Sequence, residues 1–403
     1  MPPSNRPIHR LRRSAAAVAT GVVGVVVAGG ALAGISADRD DRTSAQAAAS
    51  SSPSSGTSPS SAASTGGAST TPAAPTGGDA TTGTTGSTDL PPPRTKETVT
   101  IALGGDTQSH GVAGSLLTEG LGEVGKELAA ADLAMVNLET VVAESSAGLH
   151  PQDKPFTFVA PPRILDVLRE QGVDVVTAAN NHGMDFGAEG LRRMLAVTAS
   201  NPLPVIGIGK DADQAYAPWT TTVRGRSVVV FGASDVLDPH LNWTAGPDKP
   251  GMAYLDTPGG LERLEAGVRA ARAKDPDAVI LAYLHWGSER VRCPKPRQVE
   301  LATRLSAAGA NAVVGSHAHI QQTTDTVGST AVAYGLGNFV FGSGSGVQRK
   351  TGVLTLTVPP RGTPTMAWSP ALIEGGLPRH LTGSARTAAL ADFAALDQGC
   401  PAR

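Results

Sequence analysis

The feature that most constrains the fold of this chain is an alternation, beginning after Lys96, of apolar runs and helical stretches separated by short polar turns. Alternation of this kind is typical of units in which a helix crosses over a sheet between parallel strands. One sizeable core is therefore expected in this part of the chain. The predicted strands span Val99 to Leu103, Leu133 to Val136, Val173 to Ala178, Val205 to Ile208, Val228 to Phe231, Ala278 to Leu284 and Ala312 to Val314.

Proline and glycine mark the ends of two intervening helices. Pro161 precedes a stretch that ends at Gly172, and Pro296 precedes another that ends at Gly309. Proline is favoured in the first turn of a helix and glycine just past its end. Three later apolar runs are separated by glycines, which predicts antiparallel strands in a second sheet. These runs span Ala331 to Tyr334, Phe339 to Phe341 and Val353 to Val358.

Polar residues follow five of the predicted strands at the point where each strand stops. The carboxyl ends of the strands in an open α/β sheet form the ligand-binding crevice. We therefore expect the five groups to converge on one side of the molecule. In chain order they are Gly104-Gly105-Asp106, Asn137-Leu138-Glu139, Ala179-Asn180-Asn181-His182, His285-Trp286-Gly287-Ser288-Glu289 and Gly315-Ser316-His317-Ala318-His319.

The donor groups in these motifs suit a divalent transition metal. Carboxylate, amide and imidazole groups without thiolates favour zinc, manganese or iron. An acid that bridges two ions about 3.5 to 4 Å apart would form a centre that activates water for an in-line displacement. His317 and His319 are two residues apart, so on an extended segment both would face one metal site. His182, beside the oxygen donor Asn181, would either bind metal or protonate a leaving group.

Each of these residues also has a purely structural explanation. An aspartate after a strand and two glycines often caps the next helix, which is an alternative role for Asp106. Glu139 could stand at the start of a helix, and His182 could satisfy a backbone carbonyl. However, four of the nine histidines of the chain follow predicted strands. That coincidence favours a functional site.

The first part of the chain has the composition of an export segment followed by a spacer. Four arginines precede an uncharged apolar run from Ser14 to Ala37, long enough to span about 30 Å of hydrocarbon. The small residues of Ala31-Leu32-Ala33 offer a cleavage site, so a cleaved signal peptide and an uncleaved anchor both stay open. The basic residues would keep the first end cytoplasmic, which places the rest of the chain outside the membrane.

Composition also suggests the domain boundaries. Serine, threonine, alanine, glycine and proline dominate the segment after the apolar run, and such a segment cannot form a core. We expect a signal peptide or anchor at 1–37, a disordered linker at 38–95, the folded domain at 96–380 and a C-terminal helical tail at 381–403.

Charge and cysteine content exclude two classes of function. The net charge of −2 and pI near 6.5 give no basic face for a nucleic-acid partner. Two cysteines, Cys293 and Cys400, are too few and too far apart for a thiolate zinc site or a redox pair. In an exported chain they could form one disulfide or remain unpaired thiols.

The strand-end residues belong to six ordered motifs. These are Gly-Asp at 105–106, Asn-Leu-Glu at 137–139, Asn-Asn-His at 180–182, His-Trp-Gly-Ser-Glu at 285–289, Gly-Ser-His-Ala-His at 315–319 and Tyr-Gly-Leu-Gly-Asn-Phe-Val-Phe at 334–341. With Lys154-Pro155-Phe156-Thr157-Phe158, they resemble the CapA family of bacterial capsule and poly-γ-glutamate synthesis proteins over roughly residues 97 to 375. That family is similar to calcineurin-like metallophosphoesterases. The resemblance implies an α/β fold, a four-layer metallophosphatase-like sandwich with two mixed sheets flanked by helices.

The resemblance also implies roles for individual residues. The implied metal ligands are Asp106, Glu139, Asn181, His285, His317 and His319. The implied catalytic residues are His182 and Asn181, and the implied substrate-binding residues are Lys154, Asn180, Glu289 and Asn338. The implied cofactor is manganese, zinc or iron, as one ion or two.

The chain departs from the phosphoesterase pattern at its first motif. Those enzymes place a histidine two residues after the aspartate, whereas this chain has Gln108 there and His110 two residues further on. The first metal site is therefore expected to lose a ligand, to use His110 or to be empty. Glu139 stands where those enzymes have a bridging aspartate, and it reaches about one bond further.

Three functions are compatible with these features. The first is a metal-dependent hydrolase of phosphoester or amide bonds, which makes, exports or trims an anionic surface polymer such as poly-γ-glutamate. The second is a non-catalytic subunit of a membrane synthase or export complex, in which the polymer meets metal or Lys154 and Arg163. The third is a small-molecule phosphatase unrelated to capsule. The segments expected to shape the pocket, Leu149 to Pro162 and Asp235 to Tyr254, contain no motif that identifies a ligand.

Overall fold

A computed structural model describes residues 97–238, 240–342 and 344–403 of the chain. The expected export segment at 1–37 and the expected linker at 38–95 lie outside these residues. In the part that is described, no helix is both long and apolar enough to cross a membrane.

The described residues form eighteen strands and eight α-helices. The strands are β1 (Val99–Thr107), β2 (Leu133–Leu138), β3 (Val141–Val142), β4 (Val159–Ala160), β5 (Val175–Thr177), β6 (Val205–Ile206), β7 (Ile208–Gly209), β8 (Trp219–Val223), β9 (Arg226–Ser234), β10 (Gly251–Met252), β11 (Val279–His285), β12 (Ala312–Ser316), β13 (Thr324–Val327), β14 (Thr330–Ala333), β15 (Asn338–Val340), β16 (Lys350–Val358), β17 (Thr365–Glu374) and β18 (Leu377–His380). The helices are α1 (Leu116–Glu119), α2 (Glu123–Ala130), α3 (Arg163–Glu170), α4 (Gly187–Ser200), α5 (Ala212–Ala215), α6 (Gly260–Lys274), α7 (Pro296–Ala308) and α8 (Gly383–Ala394). Short 3-10 helices span Gly111–Ser115 and Gly346–Arg349.

Two mixed sheets form the centre of the domain. Sheet 1 has the strand order β18-β17-β16-β1-β2-β5-β6, with β15 also paired to β1. Sheet 2 has the order β13-β14-β12-β11-β9-β8. Strands β1, β2, β5 and β6 are parallel in sheet 1, and β9, β11, β12 and β14 are parallel in sheet 2. The parallel strands therefore bring several carboxyl ends to one edge of each sheet.

Apolar side chains on alternate faces of the strands divide the domain into four layers. In β1, Ile101 and Leu103 face the core between the two sheets, while Ala102 faces the helices that cover sheet 1. In β11, Leu281 faces the same inter-sheet core, while Ala282 faces the helices α6 and α7 on sheet 2. This is the two-residue period of a strand buried on both faces. The fold is thus the predicted four-layer α/β sandwich, with two mixed sheets flanked by helices.

The three late apolar runs do not form a sheet of their own. Strand β14 lies in sheet 2, parallel to β12, whereas β15 and β16 both pair with β1 in sheet 1. The segment 334–337, between β14 and β15, passes from one sheet to the other. The prediction was wrong because glycine turns mark where strands end, while the pairing partner is set by long-range packing.

The run predicted from Val205 to Ile208 is two strands. Gly207 separates them with φ +85, and a Cβ atom there would lie only 2.4 Å from the Cβ of Ala179. The chain turns at this glycine. Strand β6 therefore pairs with β5, whereas β7 pairs with β10.

A disulfide attaches the C-terminal segment to the folded domain. Cys293, in the loop after β11, is bonded to Cys400, with the two Cα atoms 5.4 Å apart. Arg292 reinforces the contact by donating a 2.7 Å hydrogen bond to the carbonyl of Gln398. The disulfide and this hydrogen bond therefore both attach the C-terminal segment to the loop that follows His285.

Candidate metal centre

The strand-end groups converge, but they come from both sheets. Asp106 lies near the carboxyl end of β1, Glu139 directly follows β2, and Asn181 follows β5 in sheet 1. His285 is the last residue of β11, and His317 directly follows β12 in sheet 2. The two sheets therefore each contribute part of one polar cluster.

Two glycines bring Asp106 against a neighbouring segment. A Cβ atom on Gly105 would lie 1.9 Å from the carbonyl oxygen of Gly337, and one on Gly104 would lie 2.9 Å from the ring of Phe339. The backbone NH of Asp106 donates a 3.0 Å hydrogen bond to that same Gly337 oxygen. No other residue type could allow so close an approach.

Glu139 lies at the centre of the cluster. Its Oε1 atom is 3.7 Å from Nε2 of His285, 3.9 Å from Nε2 of His319 and 4.0 Å from Nε2 of His182. Glu139 is fully buried, yet neither of its carboxylate oxygens has a hydrogen-bond partner among the described residues. A buried carboxylate without a partner is costly. A cation bound among these atoms would explain the arrangement.

The donor set fits a divalent metal. Ligand atoms of Asp106, Glu139 and His285 all lie within 4.8 Å of one another. Nε2 of His285 is also 2.7 Å from Oδ1 of Asn181 and 3.1 Å from Nδ1 of His317. Carboxylate oxygens, an amide oxygen and imidazole nitrogens are ligands of manganese, zinc and iron. These residues can therefore hold such an ion.

Asp106 binds the neighbouring strand ends instead of capping a helix. Its Oδ1 accepts a 2.8 Å hydrogen bond from Asn137, and its Oδ2 accepts one of 3.2 Å from the backbone NH of His317. Oδ2 also lies 3.3 Å from Nδ1 of His319, which is 2.8 Å from Oδ1 of Asn338. Asp106 thus connects the two sheets at the cluster.

His317 and His319 reach the cluster through a turn. Their φ angles are 90° and 54°, in the left-handed region that residues other than glycine seldom occupy. The expectation of an extended segment is therefore wrong, and the backbone here is strained. Such strain is common where a fold holds side chains for binding or catalysis.

Burial and mutual charge perturb the ionisable groups of the cluster. Burial, reinforced by the charge of Asp106, raises the pKa of Glu139. Burial alone would raise the pKa of Asp106, but its hydrogen bond to His319 and that residue's charge hold it well below its ordinary value. Burial also lowers the pKa of His285, and it lowers that of His317 to about 3. Both imidazoles are therefore neutral, which is the form that binds metal.

His319 behaves in the opposite way. Burial would lower its pKa, but the charge of Glu139 and the hydrogen bond to Asp106 outweigh burial and raise the pKa to about 10. Without metal, His319 and Asp106 therefore form a buried ion pair. A bound cation would compete with that pairing.

The residues of the cluster differ in burial. Asp106, Glu139 and His285 are fully buried, whereas Asn181 and His317 are 8% and 6% exposed. The ring of Phe158 packs beside the cluster, with its centroid 4.5 Å from that of His182. The partly exposed residues are therefore the ones nearest to solvent.

His182 is hydrogen-bonded to a carboxylate and not to a backbone carbonyl. Its Nδ1 lies 2.9 Å from Oδ2 of Asp185. Lys154 is also buried here, with its Nζ 3.0 Å from Oδ1 of Asp185, 3.1 Å from Oδ2 of Asp238 and 2.5 Å from the carbonyl oxygen of Asn181. The structure thus places Lys154 next to the site, in contact with Asp185 and with the main chain of Asn181.

The remaining predicted substrate-binding residues differ in position. Asn180 is buried, and its amide donates 2.9 Å hydrogen bonds to Oδ1 of Asn137 and to the carbonyl of Leu138. Asn338 is also buried against His319. Glu289 is exposed and forms an ion pair with the adjacent Arg290 at 3.9 Å, and it has no bond to the cluster among the described residues.

Among the described residues, neither Gln108 nor His110 replaces the histidine that the first motif lacks. Gln108 is buried, and its Oε1 accepts a hydrogen bond from the backbone NH of His110. His110 is exposed, with its ring 5.7 Å from that of Phe158. In the described part of the chain, neither side chain forms a hydrogen bond or ion pair with Asp106 or Glu139.

Sequence reasoning missed three residues of the site. Asn137 lies between Asp106 and Asn180, Asp185 bonds His182, and Asp238 bonds Lys154. Asn137 stands inside the Asn-Leu-Glu motif but received no role, and Asp185 follows the Asn-Asn-His motif by three residues, so a search for polar residues in and around each motif would have found both. Asp238 lies in the segment Asp235 to Tyr254 that was expected to shape the pocket, but no motif there singles it out.

Solved structures with similar folds include a hypothetical protein from Thermus thermophilus and a phosphatase from Mycoplasma pneumoniae. The first is 15% identical with a TM-score of 0.42, covering 67% of this chain and 99% of that one. The second is 12% identical with a TM-score of 0.42, covering 68% and 94%. Neither match bears on the chemistry of this chain.

Curated relatives carry names that concern capsule or polyglutamate. The chain is 27% identical over 248 residues to the capsule biosynthesis protein CapA of Bacillus anthracis, covering 60% of this chain and 58% of that protein. It is 28% identical over 213 residues to the PGA biosynthesis protein CapA of Bacillus subtilis, covering 53% and 54%. A probable polyglutamine synthesis accessory protein of Mycobacterium tuberculosis is 27% identical over 217 residues, covering 53% and 57%. The chain thus spans just over half the length of these relatives.

The family model described as "Bacterial capsule synthesis protein PGA_cap" matches residues 78–343. This range is more than half of the chain, and it contains both the strand ends from the two sheets and every residue of the buried cluster. The six motifs that predicted this relationship all lie within it as well. The chain therefore belongs to the PGA_cap family of bacterial capsule synthesis proteins.

Proposed function

We propose that this protein is a metal-dependent hydrolase that acts outside the cytoplasmic membrane on an anionic surface polymer, such as poly-γ-glutamate, or on its precursor. The names of the relatives support the polymer. The buried cluster supports the metal and the hydrolysis.

One observation carries the chemical part of this proposal. Glu139 is fully buried, and neither of its carboxylate oxygens has a hydrogen-bond partner in the part of the chain that the structure describes. Three imidazoles face its Oε1 at 3.7 to 4.0 Å. These distances are too long for hydrogen bonds. They suit ligands arranged around an ion at about 2.0 to 2.2 Å from each donor.

The residues around the centre have separate roles in this proposal. Asp106, Glu139 and His285 would hold one ion, and Asn181, His317 and His319 would complete its coordination or hold a second ion. Such an ion supplies Lewis-acid chemistry and lowers the pKa of water. His182, whose Nε2 faces Glu139 at 4.0 Å, would accept or donate a proton.

Two features support action outside the membrane. The Cys293–Cys400 disulfide is of the kind that persists in oxidising compartments. The basic N-terminus followed by an uncharged apolar run has the pattern of an export signal. The linker at 38–95 would then hold the domain away from the membrane surface.

A second candidate is a non-catalytic subunit of a membrane synthase or export complex. The Mycobacterium tuberculosis relative is named an accessory protein, which favours this alternative. In that case the cluster would bind metal and polymer without turnover. The two candidates share the metal site and differ in whether a bond is cleaved.

Elemental analysis of the purified full-length protein tests the metal site first. The variants are a His317→Ala, His319→Ala double substitution and, as a control, His150→Ala, which removes an exposed histidine. We expect about one or two transition-metal ions per chain in the wild type and the control, and loss of metal in the double variant. A folded wild-type protein that binds no metal when supplied with zinc, manganese and iron would rule out the hydrolase.

Turnover then separates the two candidates. The metal-loaded protein is incubated with poly-γ-glutamate and with a panel of small phosphomonoesters, and products are quantified before and after chelation. Cleavage of the polymer that is lost on chelation and restored by metal supports the hydrolase. Polymer binding without cleavage supports the accessory subunit, and phosphomonoester turnover alone would indicate a phosphatase without a capsule role.

A further inference from the structure

Lys154 occupies an unusual environment for a lysine. Its side chain is only 3% exposed, and its Nζ lies 5.8 Å from the ring centroid of Trp243. The ammonium contacts Asp185 at 3.0 Å, Asp238 at 3.1 Å and the carbonyl oxygen of Asn181 at 2.5 Å. The ammonium therefore has one hydrogen bond and two ion-pair contacts, all with atoms of this chain.

A lysine in this state is poorly suited to bind substrate. A buried charge is retained only where it is paired and hydrogen-bonded, and removing one member of such a set is costly. An incoming anion would have to displace either Asp185, which is fully buried, or Asp238, which is 28% exposed and already pairs with the ammonium. The geometry therefore points to a role inside the protein, in contrast to the substrate contact that the motifs suggest.

Asp185 contacts both Lys154 and His182, one with each carboxylate oxygen. Oδ1 of Asp185 faces Lys154, while Oδ2 lies 2.9 Å from Nδ1 of His182 and also accepts a 2.6 Å hydrogen bond from the backbone NH of Phe158. An ionised carboxylate is only an acceptor, so the proton of a neutral His182 must be on Nδ1. The lone pair of Nε2 then faces Glu139.

A second connection runs to the adjoining ligand. Lys154 donates to the main-chain oxygen of Asn181, and the side-chain oxygen of the same Asn181 lies 2.7 Å from Nε2 of His285. The backbone NH of His182 is held in turn by Oδ1 of Asn180 at 3.0 Å. One ammonium thus fixes the loop that presents both Asn181 and His182.

We infer that Lys154 is a positioning residue of the metal centre. Through Asp185 it holds His182 as the Nδ1–H tautomer with Nε2 directed to Glu139, and through the carbonyl of Asn181 it fixes the neighbouring ligand. Asp238 adds a second carboxylate contact to the ammonium and is not required for the tautomer. This inference rests on the proposed function, in which Asn181 and His182 serve the metal centre.

The tautomer of His182 is the direct test. Full-length protein containing ¹⁵N-labelled histidine is studied by NMR after chelation, in mildly alkaline buffer where the histidine is neutral, and signals of His182 are assigned by their loss in His182→Gln. The ring-nitrogen shifts report which nitrogen carries the proton. We expect Nδ1–H alone in the wild type, and a mixture of the two tautomers in Asp185→Ala, which removes the acceptor.

Three further variants separate positioning from general stability. Lys154→Met removes the charge but keeps the apolar stem, and we expect a mixture of tautomers and about tenfold weaker Mn²⁺ binding. Asp238→Asn is expected to keep both the tautomer and the Mn²⁺ affinity. Lys126→Met, at a lysine whose side chain is 75% exposed, controls for the loss of a positive charge.

The outcomes are distinct. Nε2–H in the wild type, or Nδ1–H alone in Asp185→Ala, would overturn the inference even if Lys154→Met fails to fold. Equal losses of Mn²⁺ affinity in Lys154→Met and Lys126→Met would also overturn it. Because the tautomer is measured without metal, a protein that shows the expected tautomer but binds no metal would contradict the proposed function and leave the positioning role intact.

Discussion

Oε1 of Glu139 lies 3.7 Å from Nε2 of His285, and both residues are fully buried. They come from different sheets, since Glu139 follows β2 and His285 ends β11. Neither oxygen of Glu139 is hydrogen-bonded among the described residues. The packing of the two sheets therefore creates a negative centre surrounded by imidazoles, which is destabilising alone and stabilised by a cation.

Replacing Glu139 with glutamine is expected to separate stability from metal binding. The metal-free Glu139→Gln protein should unfold at the same temperature as the wild type or higher, because Glu139 is a buried carboxyl group without a hydrogen-bond partner among the described residues. Metal at about 100 times its Kd stabilises the wild type by about 2.7 kcal/mol, and this gain should vanish in the variant. Thermal unfolding with and without Mn²⁺ measures both effects. Glu144→Gln, at an exposed position, should behave as the wild type does; a Glu139→Gln protein that retains the full metal-dependent gain contradicts the assignment of Glu139.

Removing Asp106 should destabilise the metal-free protein. Asp106 is 3.3 Å from Nδ1 of His319 and accepts hydrogen bonds from Asn137 and from the backbone of His317. Loss of one partner of a buried ion pair costs about 3 kcal/mol or more. Asp106→Ala should lower the free energy of unfolding by about that amount in urea denaturation after chelation. Asp248→Ala, at an exposed aspartate, is the control, and an equal small change in both variants would refute the ion pair.

An alanine at Gly105 should be poorly tolerated. Its Cβ would lie 1.9 Å from the carbonyl oxygen of Gly337, which belongs to the backbone and cannot rotate away. We expect Gly105→Ala to lose about 1 to 3 kcal/mol of stability and to weaken metal binding, because Asp106 must shift. Gly114→Ala, where the nearest atom would lie 3.4 Å away, is the matched control. Urea denaturation and Mn²⁺ titration measure the two effects, and similar stabilities for the two variants would show that the segment can move.

The disulfide should contribute to stability more than to the metal site. Cys293 and Cys400 are separated by 107 residues, so the bond restricts a large loop in the unfolded chain, a restriction worth about 2 to 4 kcal/mol. A Cys293→Ser, Cys400→Ser double variant should show a urea midpoint lowered accordingly. Reducing agent should reproduce this change in the wild type and have no further effect on the variant. An unchanged midpoint in both experiments would indicate that the native contacts of the C-terminal segment suffice.

The periodicity of the sequence determined the strands and the order of the ligands along the chain. Apolar runs such as Val99 to Leu103 and Ala278 to Leu284 differ by only a few residues from β1 and β11. The motifs also predicted the family and the four-layer fold. The strand positions are a local feature, because a strand buried on both faces needs only a continuous apolar run and a break to end it.

Tertiary structure alone decided how these elements combine. Sequence could not show that Glu139 and His285 lie in different sheets, because the partner of a strand depends on packing against distant elements. It could not show that His317 and His319 occupy a left-handed turn, or that Cys293 meets Cys400. The motifs suggested that Lys154 contacts substrate, and only the fold buries it between Asp185 and Asp238. Burial and charge pairing depend on every neighbour in space, and the chain order specifies few of those neighbours.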